Sequence, residues 1–116
     1  MLKRLDHIDL RVLDVEEQVA YFKKLGFVEI RRTPEPRYSV EVALPGPNQV
    51  VFEVRAGEAG KMGINHIAFK VEGAESIEQL KSQGIQFNVE RRLVKDTGRT
   101  VSNFTDPNGN RLQLTD

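Results

Sequence analysis

The chain has 116 residues, 39% of them hydrophobic and 29% charged, and its 17 Lys+Arg balance 17 Asp+Glu. That length fits a single domain over residues 1–116, and the charge balance leaves no electrostatic footprint for nucleic acid or a membrane. The absence of cysteine excludes disulfides, thiolate metal sites and cysteine nucleophiles. The opening MLKRLDHIDLRV lacks the apolar run of a signal peptide or membrane span, so a cytoplasmic protein is expected.

In chain order, residues 5–12 alternate: Ile8, Leu10 and Val12 take one strand face, and His7, Asp9 and Arg11 the other. Asp14 with Glu17 three residues on predicts a capped helix start, and Val15, Val19, Phe22 and Leu25 recur at helical spacing up to a Gly26 stop. Three strands are expected next, over 27–32, 37–44 and 49–55, divided by TPEP and PGPN turns. The pattern then restarts. Residues 64–71 alternate, 74–83 read as a short helix ending at Gly84, and strands are expected over 85–94, 99–104 and 111–115, the last after a DPNGN turn. Arg91 and Arg92 read as a solvated strand end.

The order β-α-β-β-β thus occurs twice, in units of about 1–56 and 60–116. His7 and His66 are 59 positions apart, Gly26 and Gly84 58 apart, and the two Pro-Asn pairs at 47 and 107 are 60 apart. Agreement among independent landmarks predicts an internal duplication.

The duplication selects the site. His7 corresponds to His66, the only two histidines in the chain, and Glu53 corresponds to Gln113. By strand parity all four point away from the helix-covered, apolar side of their sheets. Were the two sheets to curve around one cleft, two imidazoles, a carboxylate and a carboxamide oxygen would converge. Such a set suits zinc, nickel, cobalt, iron or manganese rather than copper(I). A lone histidine on a polar strand face is more often solvated, and a lone glutamate is more often a surface carboxylate; the matched repeat positions raise these four above that reading. Arg11, Lys70, Arg55 and Arg111 share the same faces and would make the walls cationic, favouring an anionic small-molecule substrate; they equally suit a solubilising rim. No GxGxxG, Walker A, GxSxG or HExxH motif occurs.

With these residues in view, LDHIDLRVLDVEEQVAYFKKLGF, INHIAFKVEG and FTDPNGNRLQLTD together resemble the vicinal oxygen chelate superfamily of glyoxalases, bleomycin-resistance proteins and dioxygenases. The resemblance implies an α+β fold of two paired βαβββ modules with curved mixed sheets enclosing a cleft. It implies a divalent metal at His7, Glu53, His66 and Gln113, and a homodimer. The implied activity is of the lyase or isomerase type. The usual last-strand glutamate of the family is Gln113 here, and an amide cannot abstract a proton, which leaves Glu53 as the catalytic carboxylate. A non-catalytic, ligand-sequestering protein of the bleomycin-resistance type is the alternative, with an extradiol dioxygenase third.

Overall fold

The computed structural model describes residues 1–116. The elements run β1 (Leu2–Val12), α1 (Val15–Lys24), β2 (Val28–Arg32), β3 (Ser39–Ala43), β4 (Val51–Ala56), β5 (Gly63–Val71), α2 (Glu75–Ser82), β6 (Phe87–Val94), β7 (Arg99–Thr105) and β8 (Arg111–Thr115). The fold class is α+β, with eight strands and two helices. The chain divides into two compact units, His7–Asn65 and Met1–Asp6 with His66–Asp116. The boundary between them falls within β1 and β5.

In the His7–Asn65 unit the strand order is β2-β3-β4-β1. β1 and β4 are parallel, as a crossover through α1 requires, and the β2-β3 and β3-β4 pairs are antiparallel. The helix begins where Asp14 accepts the Glu17 backbone N–H at 3.0 Å. It ends where Gly26, at φ +100°, donates to the Lys23 carbonyl while Phe27 donates to that of Phe22. A left-handed residue there needs the missing Cβ. Between these stops Val15, Val19 and Phe22 pack on Val40, Val42 and Val54. The Phe22 ring centroid lies 4.8 Å from that of Phe27 and 5.1 Å from that of Phe52. Each such side chain stabilises the unit by about 1.5–3 kcal/mol.

In the second unit the order is β5-β8-β7-β6, with β5 and β8 parallel and the other pairs antiparallel. Its core is smaller: Val71, Ile77 and Leu114, supported by Phe69, Leu80, Phe87 and Phe104. α2 has Ala74 at its N-cap and no side-chain cap, and Gly84 at φ +93° follows its end. The 106–110 turn closes on Asp106, which accepts from the backbone N–H groups of Asn108 and Asn110 and from the Asn110 amide.

Two expectations are corrected. The strand expected over 85–94 starts two residues later, at Phe87, and its register shifts between Phe87 and Val89 and again between Val89 and Arg92. Arg91 and Arg92 are not at a strand end. They sit mid-strand at that irregularity, where Arg91 has φ +49°, its N–H donates to Ser102 Oγ, and its guanidinium pairs with Asp116. A bulge inserts an unpaired residue that side-chain periodicity does not announce.

Candidate functional site

Parity places one unbroken row of side chains on the face of each sheet opposite its helix. In the His7–Asn65 unit that face carries His7, Asp9 and Arg11 of β1, Val51, Glu53 and Arg55 of β4, and Glu41 and Ser39 of β3. The register sets Asp9 beside Glu53 and Glu53 beside Glu41. Three carboxylates thus lie side by side across three strands, each no more than 1% exposed. His7, 2% exposed, stands one pleat from Asp9 on the same face.

Buried carboxylates persist as ions only when paired. Each has a guanidinium. Arg37 Nη2 donates to Glu53 Oε2 at 2.9 Å. Arg11 Nε donates to Asp9 Oδ1 at 2.6 Å, and Arg55 Nη1 lies 4.0 Å from Asp9 Oδ2. Arg31 Nε lies 3.9 Å from Glu41 Oε2. Burial pushes the Arg55 guanidinium below its ordinary value, and the neighbouring charges of Arg37 and Arg11 push the same way. The Nε atoms of Arg37 and Arg55 are both buried without a hydrogen-bond partner.

In the second unit the corresponding face carries no carboxylate from β5, β7 or β8. His66 is half-buried, Ala68 stands where the first unit has Asp9, and the register sets Ala68 beside Gln113 and Gln113 beside Asn103. Gln113 is 8% exposed and donates through Nε2 to Asn103 Oδ1 at 2.9 Å. Lys70 is half-buried on the same face as His66, in register with Thr115. Arg111 is exposed at the start of β8, in register with Thr105.

The structure therefore puts His7 and Glu53 on one face of the first unit with Arg11 and Arg55, and His66 and Gln113 on one face of the second with Lys70. No group of three or more His, Cys, Asp or Glu side chains is placed to hold a metal ion. Imidazole and carboxylate in the first unit, and imidazole and carboxamide in the second, are each donor types that suit a borderline divalent ion. The Gln113 amide nitrogen is taken by Asn103, so its carbonyl oxygen is the end suited to a cation. A cation held by Glu53 would share that carboxylate with Arg37.

Reasoning from the sequence missed Asp9, Glu41, Arg37 and Asn103. Asp9 and Glu41 were readable from strand parity and were passed over because they lack a repeat partner of like chemistry. Arg37 falls inside the strand expected over 37–44, but the structure starts β3 at Ser39 and leaves Arg37 in the preceding turn.

The family model of the Glyoxalase/Bleomycin resistance protein/Dioxygenase superfamily matches residues 4–114. The chain belongs to this superfamily. It is 30% identical to lactoylglutathione lyase of Salmonella typhimurium over 122 residues, covering 96% of this chain and 90% of that protein. Methylmalonyl-CoA epimerase from Mycobacterium tuberculosis has the same fold, with a TM-score of 0.80 at 19% identity over 98% of this chain and 87% of that one. A variant Streptomyces coelicolor methylmalonyl-CoA epimerase in complex with 2-nitronate-propionyl-CoA gives a TM-score of 0.83 at 16% identity over 99% and 94%. No helix is long and apolar enough to cross a membrane.

Proposed function

We propose that this superfamily member is a divalent-metal-dependent enzyme of the lyase or isomerase type, acting on a small, oxygen-rich anionic molecule. The observation that supports this reading most is the buried His7–Glu53 face of the first unit, repeated in the second as His66 and Gln113. The 30% identical lactoylglutathione lyase, matched along almost the whole chain, supports the same reaction class.

His7, Glu53, His66 and Gln113 are the residues that would hold the ion, whose role when bound is to polarise a substrate carbonyl and stabilise an enediolate. Zinc, nickel, cobalt, iron and manganese all suit the set. The two neutral imidazoles and the neutral amide leave Glu53 as the one charged ligand, so the filled site keeps a net charge of about +1 and favours an anionic ligand. Gln113 has no lone pair basic enough to take a proton from carbon, so proton movement falls to Glu53. Arg37, donating to Glu53 Oε2, orients that carboxylate. Arg11, Arg55, Lys70 and Arg111 are assigned to substrate anions. A homodimer in the cytoplasm is part of the same reading.

Metal analysis and titration of protein purified without an affinity tag test it. Saturable, tight binding of a divalent ion is expected in the wild type, weakened by His7→Ala and by His66→Ala. Wild-type and variant proteins that all decline metal after reloading would refute it. Two points favour a second reading, ligand sequestration without turnover: Glu53 is engaged by Arg37, and Gln113 stands where the family resemblance implies a glutamate. A thermal-shift series separates the two, because stabilisation by divalent ions supports the enzyme and stabilisation by organic anions alone supports the binder.

A further inference from the structure

We propose that Arg37 and Arg55 form an oxyanion subsite beside Glu53, built for a carboxylate or phosphoryl group, in which Arg37 is shared between the bound anion and Glu53. The inference rests on the functional reading above and adds to it a residue, Arg37, and a coupling. Both side chains belong to the His7–Asn65 unit. Arg37 reaches Glu53 Oε2 with Nη2 at 2.9 Å, and Arg55 follows Glu53 by two residues on the same strand face. The guanidiniums are mostly buried, at 20% and 24% side-chain exposure, and each has a buried Nε–H with no acceptor.

A buried donor without an acceptor costs about 1–3 kcal/mol. Two such donors, on neighbouring like-charged groups that repel each other, are explained if an acceptor with negative charge completes them. The Nε and Nη edge of a guanidinium matches two oxygens of one carboxylate or phosphoryl group. Arg11 does not enter the subsite in this way, because it donates to both oxygens of Asp9. Arg55 stands 4.0 Å from Asp9 at its nearest, a distance at which a stronger acceptor wins. The coupling follows from Arg37. Its charge is divided between Glu53 and the incoming anion, so the two acceptors compete for it.

The test is isothermal titration of the whole chain with inorganic phosphate and, separately, with malonate, in metal-free buffer at fixed ionic strength. Wild-type protein is expected to bind at least one probe saturably; preference between the two identifies which group the subsite takes. Arg37→Gln and Arg55→Gln should each weaken binding about tenfold, the loss of one charge-assisted pair. Arg55→Lys keeps the charge without the fork, and should fall between. Glu53→Gln removes the competing charge and should tighten anion binding severalfold, and the gain should disappear when Arg37→Gln is combined with it, which a through-space charge effect alone would not produce. Arg32→Gln, in the surface network with Glu16 and Glu29, should bind as wild type does. Circular dichroism checks folding, and Arg37→Lys replaces Arg37→Gln if the latter does not fold. No saturable binding of either probe overturns the proposal. So does wild-type affinity in the Arg55 variants, or unchanged or weaker affinity in Glu53→Gln. Because metal is absent throughout, intact anion binding in a protein that takes up no divalent ion on reloading counts against the proposed function alone.

Discussion

Replacing Arg37 with Gln tests whether the buried Glu53 carboxylate depends on one guanidinium. Glu53 is 1% exposed and Arg37 20%, with one N–O contact of 2.9 Å. Two unit charges about 4 Å apart attract by about 4 kcal/mol at an effective dielectric constant near 20. Loss of hydration offsets much of that attraction. What survives is about 1.5–3 kcal/mol, the range of a hydrogen bond between charged groups. A double-mutant cycle of wild type, Arg37→Gln, Glu53→Gln and the double variant isolates this term. The assay is urea unfolding followed by circular dichroism at pH 7 with a chelator present. Arg37→Gln alone should cost more than the double variant relative to Glu53→Gln, because it strands a carboxylate in the sheet. A coupling energy below about 0.5 kcal/mol would refute the pairing as a structural determinant of the face.

Asp14→Ala removes the cap on α1 and should cost about 1 kcal/mol by denaturant unfolding, with Asp14→Ser recovering most of it. Phe22→Ala opens the aromatic cluster with Phe27 and Phe52 and should cost about 3–5 kcal/mol, read as a lower unfolding midpoint at unchanged slope. Ser76 Oγ is buried without a partner at the start of α2, so Ser76→Ala should be neutral or stabilise by up to about 1 kcal/mol in the same assay. Hydrogen bonding from Arg32, then Tyr38, lowers the Glu16 carboxyl to about 2. Because the folded value lies below the unfolded one, that stabilisation is present above the unfolded value of 4.5 and is lost as pH falls towards 2. NMR titration should locate the midpoint there. Since Glu16 is exposed, 1 M salt should move it back towards the ordinary value.

The duplicated βαβββ order, both helix stops and the face occupied by each candidate ligand were legible in the sequence, because alternation and turn chemistry are local. Glycines at positions 26 and 84 announced themselves by following an apolar stripe that could not continue. The irregularity in β6 was only partly legible: Phe87 to Glu90 alternate, the run Glu90-Arg91-Arg92 does not, and only the pairing with β7 shows the slipped register. The site was half legible. His7 and Glu53 stood out by their repeat partners, but the guanidinium that pairs with Glu53 comes from a turn sixteen residues away. Charge compensation is a property of space, and a sequence reading that ranks residues one by one does not see which base answers which acid.

The contrast between the two sheet faces has a consequence for how the halves have diverged. One copy keeps Asp9, Glu53 and Glu41 in its interior; the other holds Ala68, Gln113 and Asn103 at the matching pleats. An amide ladder needs no counter-ion, whereas every acid in the first copy obliges a base to stay with it. Substitution in the second half can therefore proceed one residue at a time. In the first half a single acid-to-neutral change strands its base, so single substitutions on that face are expected to cost more stability there.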